Sequence, residues 1–378
     1  MTREECDKIV CAVEKTGYDF EHYVYELLKN KGWQVISNRY YVDDIKGIER
    51  EIDLLAYKTK KEDAVIYYTT LIISCKKSAE SFWAFLTRQR PEHDPNTEYF
   101  FLHNYTTDRR LSCMMEETAD ITRENLLSND SIVSLFEIER VPFAFQQINS
   151  NSGKPEDDKR IYESIITTIK ALEYEKENRG RPKIQNVEQY FYNFSLLSVF
   201  DGKMYEVFCN DGDKVVKQIS EIKYINRHII SKKESFYKVH FISKDALYAQ
   251  IDIYDKLYEC NSSLYPKMVN DFYVDIFKYN SRVMVLWKDF CNAFLFEFNF
   301  ILIHILEYKT NDRSKDFDYD YQDNVLKIHF SGFNDIDDDD FLKTVNECTK
   351  LREAASSLLN NWFRFEGNYI FDNDMLPF

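Results

Sequence analysis

The chain has 378 residues, of which 44% are hydrophobic and 16% aromatic, enough apolar material for two or three domains with cores of their own. That content excludes a largely disordered chain, and 9 glycines with 7 prolines exclude a collagen-like or low-complexity one. The net charge of −15 argues against a protein that coats nucleic acid by bulk charge, while leaving room for a local basic groove.

In chain order, Arg3 to Lys31 reads as helical. A second helix starts near Tyr18, because Phe20, Val24, Leu27 and Leu28 fall on one face and Gly32 supplies a stop. Trp33 to Asn38 and Ile52 to Lys58 read as strands. Lys60-Lys61-Glu62-Asp63 reads as a polar turn, followed by the long β-branched and aromatic run Ala64 to Cys75. Tyr99 to His103 is a further short strand, Thr122 to Phe136 partly helical, Val141 to Ile148 a strand and Arg160 to Glu177 a helix. This order predicts an α/β fold with a mixed sheet flanked by helices.

Asn178-Arg179-Gly180-Arg181-Pro182 reads as a linker that closes a first domain at residues 1–180. Beyond it, Ser195 to Phe200 and Met204 to Cys209 around Asp201-Gly202 read as a hairpin. Asp211-Gly212-Asp213 makes another turn before Lys214 to Ile219. Tyr237 to Ile242 is a strand and Asp245 to Tyr258 a helix, giving a smaller α+β region over 181–260. Residues 261–378 read as mainly helical, with acidic loops at Asp316 to Asp323 and Asp335 to Asp340 and a helix from Phe341 to Asn361. Residues 1–185 have a net charge of −6 and the remainder −9, so neither half is a basic module.

The eight cysteines form no C-x-x-C and match no zinc module, which suits reduced, mostly buried thiols of a cytosolic protein. Met1 to Ile9 is charged and lacks the apolar run of a signal peptide. Val283 to Leu306 carries six polar or charged residues and reads as a buried amphipathic helix, so no membrane partner is expected.

The stretch that carries chemistry is Arg50-Glu51-Ile52-Asp53-Leu54-Leu55-Ala56 followed by Leu71-Ile72-Ile73-Ser74-Cys75-Lys76-Lys77-Ser78. Strand side chains alternate, so Ser74 and Lys76 share a face, and a hairpin would bring Asp53 to both. Glu21 on the preceding helix can close the cluster and Glu51 lies beside Asp53. A hard divalent ion takes oxygen ligands, and Asp53, Glu21, Glu51 and the Cys75 backbone carbonyl could supply them. An ammonium at Lys76 could orient a metal-bound water or stabilise charge on phosphorus.

With Glu21, Asp53 and Lys76 at these positions, the region over roughly 15–150 resembles the PD-(D/E)XK nuclease superfamily, whose fold is restriction-endonuclease-like. The blocks Glu51 to Ala56, Ser74 to Ser78 and Phe82-Trp83-Ala84-Phe85 are similar to bacterial nuclease-like proteins, some linked to phage defence. Phe200 to Val207 is similar to a block that follows the nuclease domain in them. The resemblance implies a cytoplasmic endonuclease that hydrolyses DNA with Mg²⁺ or Mn²⁺, in anti-phage defence or restriction. RNA is the alternative polymer. Asp53, Lys76 and Glu21 would be catalytic.

One position departs from the pattern: Ser74 stands where the superfamily has Glu or Asp. Either another carboxylate moves in, or Ser74 holds a metal-bound water, or the fold is catalytically degenerate and serves as a binding or oligomerisation module. Lys77, Arg88 and Arg90 are candidate phosphate contacts. The aromatic residues between Phe272 and Phe300 suit either a helical core or a homo-oligomer surface. Phe82, Trp83 and Phe85 suit a core wall better than base stacking. Cys75 has no histidine near it in sequence and reads as a buried small residue. Of the seven histidines only His22, beside Glu21, draws attention.

Overall fold

The computed structural model describes residues 2–14, 16–43, 47–94, 97–179, 188–210, 212–230, 233–307, 316–330 and 338–372. In chain order the elements are α1 (Arg3–Glu14), α2 (Tyr18–Asn30), β1 (Gln34–Val42), β2 (Glu49–Glu62), β3 (Val65–Lys77), β4 (Ser81–Gln89) and β5 (His103–Thr106). There follow α3 (Arg109–Glu117), α4 (Ala119–Leu127), β6 (Arg140–Asn149), α5 (Lys159–Arg179), β7 (Gln189–Asp201), β8 (Met204–Asn210) and β9 (Asp213–Ile219). The remainder are β10 (Glu221–Ile230), β11 (Lys233–Ser243), α6 (Lys244–Asp271), α7 (Asn280–His304), β12 (Phe317–Gln322), β13 (Val325–Phe330), α8 (Asp338–Glu347), α9 (Thr349–Phe363) and β14 (Asn368–Asp372). The chain is α/β with mixed sheets.

It divides into two compact units, residues 1–108 with 118–266 and residues 109–117 with 267–378. The boundary expected near residue 180 falls inside the first unit. β7, which follows it, pairs in parallel with β3 from Val65–Gln189 to Lys77–Asp201. Asn178 and Arg179 end α5, and the rest of the expected linker lies outside the described residues.

The first unit is built on a seven-stranded sheet of order β1-β2-β3-β7-β11-β10, with β5 also paired to β7. β3, β7 and β11 run parallel in its middle. One face is covered by Phe20, Val24 and Leu28 of α2 and by Leu247, Ile251 and Leu257 of α6. The other is covered by Ile161, Ile165, Ile169 and Leu172 of α5, together with Trp83 and Phe85 from a second sheet. These helices show the three- and four-residue apolar spacing that makes one buried stripe.

The second sheet has the order β6-β4-β8-β9 and corrects the expected hairpin at Asp201-Gly202. β7 and β8 do not pair. One edge of β7 is taken by β3 and the other by β5 and β11, so the chain after Asp201 crosses to the second sheet and pairs with β4. The chain after Lys77 makes the same crossing. Ser78 N–H donates to the Asp201 carbonyl at 3.1 Å and Trp83 N–H to the Lys203 carbonyl at 3.0 Å. Trp83 stacks on Phe200 at 3.8 Å between ring centroids. Gly202 is required here, since a Cβ would lie 2.4 Å from the Phe200 ring and 2.9 Å from the Ser78 carbonyl oxygen.

Other expectations shift. The β2–β3 turn is Asp63-Ala64, both at positive φ (48° and 60°), and Lys60 to Glu62 stay in the strand. This is the two-residue turn whose twist matches a hairpin. Residues Phe82 to Phe85 lie in a strand, the short strand expected at Tyr99 is β5 from His103, and β10 has no counterpart among the expected elements.

The second unit is not mainly helical throughout. Asp316 to Asp323, expected as a loop, is mostly β12 in a three-stranded sheet β12-β13-β14. Of the stretch from Asp335, residues up to 337 lie outside the described residues and Asp338 begins α8. Phe290, Phe294 and Phe298 of α7 are buried and meet Phe363, Phe317 and Phe371. Phe290, Phe294 and Phe298 are therefore core, whereas Phe296 and Phe300 on the same helix are exposed and stack on each other. Among the described residues no helix is long and apolar enough to cross a membrane.

Candidate active site

The site starts from the way the β2–β3 ladder ends. Its last pair is Leu54–Ile73. Ile52 packs under α5 while Leu54 packs under α2, although residues two apart on a regular strand share a face. β2 is therefore kinked at Asp53. The β1–β2 register passes from Ser37–Leu54 to Arg39–Ile52, skipping Asn38–Asp53, and Asn38 has φ 54°. The kink turns the Asp53 carboxylate toward the end of β3.

There a single oxygen, Asp53 Oδ2, accepts the Cys75 N–H at 2.6 Å and the Ser74 hydroxyl at 3.2 Å, with Lys76 Nζ at 3.5 Å. Asp53 Oδ1 has no hydrogen-bond partner among the described residues. The carboxylate is thus fixed through one oxygen and open at the other. A strand residue's N–H and C=O point to the same side, so the Cys75 carbonyl also faces the Asp53 side of β3.

Glu21 lies in the first turn of α2, the helix packed on this part of the sheet. Its carboxyl pKa is raised to about 7, first by burial and then by the negative charge of Asp53. Lys76 lowers it and Glu51 raises it further. Desolvation and a like charge both disfavour the ionised form, and here they outweigh the lysine. Glu21, Asp53, Glu51 and Lys76 thus lie within electrostatic reach of one another. Glu51 is exposed and accepts a hydrogen bond from the Asn38 amide.

Ser74 is fully buried, and its hydroxyl is spent on Asp53. Its observed role is to orient that carboxylate. Cys75 is buried as well. Burial pushes its thiol well above the usual range, and Asp53 and Glu21 push it further, so it is held as an unreactive thiol. His22 stacks on Tyr25 rather than turning to the cluster. Lys77 points away from Lys76. Its Nζ donates to the Glu14 carbonyl at 2.8 Å and lies 3.9 Å from Asp201.

Arg88 and Arg90 are not brought to the site. The chain enters β4 beside it, at Ser81, and Arg88 lies seven residues on, roughly 23 Å along an extended strand. Arg90 stacks over Tyr99 instead, 4.4 Å from the ring centroid. Sequence reading missed Asp201 and Lys244, which meet at 3.0 Å beside Lys77. Asp201 ends β7 and Lys244 follows β11, and no local pattern marks either as functional. Only the parallel register of β3, β7 and β11 joins them.

Among the described residues no group of three or more His, Cys, Asp or Glu side chains converges to hold a metal ion. The candidate donors at this strand end are hard oxygens: the Asp53 and Glu21 carboxyl groups, within electrostatic reach of each other, and the Cys75 carbonyl. That chemistry fits Mg²⁺ or Mn²⁺ with water completing the shell, and does not fit a thiolate or imidazole site. No family model, curated protein or solved structure matches the chain.

Proposed function

We propose that the protein is a metal-dependent endonuclease of the PD-(D/E)XK kind that hydrolyses DNA phosphodiester bonds. The observation that carries this reading is the meeting of Lys76 with Asp53, 3.5 Å apart at a strand end, beside a helix carboxyl that is half-protonated near neutrality. Asp53, Glu21 and the Cys75 carbonyl would hold Mg²⁺ or Mn²⁺, with Glu51 nearby. When bound, such an ion neutralises charge at phosphorus and lowers the pKa of water.

The protein's own groups do the rest. Asp53 is fixed by the Cys75 N–H and the Ser74 hydroxyl, so it needs no reorganisation on binding. Lys76 carries its ammonium to the point where negative charge develops, and could equally orient a water for attack. A cytoplasmic setting is in keeping with the cysteine pattern, and a part in phage defence or restriction follows from the sequence resemblance alone.

Ser74 favours a second reading, a degenerate nuclease fold that binds without cutting, because a neutral hydroxyl replaces a carboxylate. Incubating plasmid and linear DNA with Mg²⁺ or Mn²⁺, with and without EDTA, separates the two. The endonuclease reading predicts cleavage that EDTA stops and that Lys76→Ala slows about 10²-fold. No cleavage with either metal would leave the binding reading.

A further inference from the structure

We infer that Lys77 and Lys244, bridged by Asp201, form a ledge that grips the backbone phosphates of duplex DNA beside the candidate active site. This rests on the endonuclease reading and names how its substrate is held.

A polyanion approaching a chain of net charge −15 needs a local landing place. The parallel strands β3, β7 and β11 end together, the position at which open α/β sheets receive ligands. In their register, Lys76 lies beside Phe200 and Phe200 beside Ser243. The next row holds Lys77 beside Asp201, with Lys244 following Ser243. Two strand spacings place the backbones of the two lysines about 10 Å apart, with Asp201 between them.

Asp201 Oδ2 lies 3.0 Å from Lys244 Nζ and 3.9 Å from Lys77 Nζ. One carboxylate therefore positions two ammonium groups and neutralises only one. Both side chains remain partly exposed. The Lys244 ammonium also sits over the Phe20 and Tyr23 rings, 5.5 and 5.2 Å from their centroids, on the helix that carries Glu21. Arg160 reaches the same strand end, its guanidinium 3.4 Å from the Lys77 carbonyl oxygen. Lys77, Lys244 and Arg160 outnumber Asp201 at this strand end, while Glu14, Glu80, Glu156 and Asp157 line the cleft that Lys77 and Arg160 also line, and the ledge begins one residue after Lys76.

Phosphate groups would exchange with the Asp201 carboxylate for charge-assisted bonds. The ordering cost is reduced because the lysines are already placed. Such interactions fix position along the duplex and carry no base sequence. Arg88 and Arg90, remote on β4, take no part.

The test is fluorescence anisotropy of a labelled duplex across a KCl series in EDTA, where cleavage cannot intervene. The slope of log affinity against log salt should fall in magnitude by about 1.8 in Lys77→Gln/Lys244→Gln, at about 0.9 for each phosphate that is no longer neutralised. Lys77→Arg/Lys244→Arg should keep the parent slope. Asp201→Asn should bind at least as tightly as the parent. An unchanged slope in the Gln variant with native circular dichroism would overturn the ledge, as would binding of RNA but not duplex DNA. A reduced slope in a protein whose parent never cuts would uphold the ledge and sink the endonuclease reading. Cutting with an unchanged slope would do the reverse.

Discussion

Glu21→Gln should cut DNA roughly 10³-fold more slowly than the parent and yet melt at a higher temperature at pH 8. Both effects come from one crowded carboxyl. Glu21 has a folded pKa of about 7, raised by burial and by Asp53 from an ordinary value of 4.5. Below pH 4.5 the group is protonated in folded and unfolded chains alike and contributes no pH dependence. Between 4.5 and 7 the folded chain keeps a proton that the unfolded chain has lost, so stability falls as pH rises. Above 7 the full penalty applies. Discounted for solvent screening at a partly exposed carboxyl, it is about 1–2 kcal/mol. Gln is neutral throughout and escapes it. Thermal melts at about pH 4 and pH 8 check this: the variant's advantage should appear only at the higher pH. An equal advantage at both would mean that packing, and not charge, is responsible.

Asp43→Ala should destabilise the first unit by about 3–5 kcal/mol, the cost of breaking a buried ion pair. Asp43 at the end of β1 and Lys170 on α5 are both buried and meet at 2.9 Å. Arg50 Nε lies 3.2 Å from the same Asp43 oxygen. The pair ties α5 to the edge of the sheet. Asp43→Leu with Lys170→Met should recover part of the loss, because an apolar pair of similar volume removes the lysine charge, while Arg50 then faces an apolar side chain. Urea unfolding would show this. By contrast, removing the exposed Lys8–Glu4 pair on α1 should change little.

The contrast between Asp53–Lys76 and Asp201–Lys244 shows what a sequence can carry. The first pair lies on a local hairpin, so strand alternation across separations of 21 to 23 residues suffices to place Ser74 and Lys76 on Asp53's side. Helix α5 is legible for a similar reason, since Ile161, Ile165, Ile169 and Leu172 repeat at helical spacing. Asp201-Gly202 is not. The signal Asp-Gly between apolar runs is the same for a hairpin and for a crossing between sheets. What decides is that both edges of β7 are already occupied, partly by β3, more than a hundred residues earlier. The stretch at 178–182 misleads likewise: its composition is that of a linker, yet the chain beyond it returns to the middle of the same sheet. In Phe82 to Leu86 every side chain is apolar, so no period distinguishes strand from helix. Lys244 and Asp201 become neighbours only through the register of parallel strands, which no local pattern encodes.

If Asp53 and Glu21 form one divalent-ion site, titration calorimetry with Mn²⁺, run in two buffers of different ionisation enthalpy, will show it. At about pH 6.5 a Glu21 carboxyl with a pKa of about 7 is mostly protonated, so binding one ion should release most of a proton, and little at about pH 8. Asp53→Asn should abolish the binding. No Mn²⁺ binding by the parent, or the same binding and proton release in Asp53→Asn, would mean that the two carboxyl groups do not share an ion.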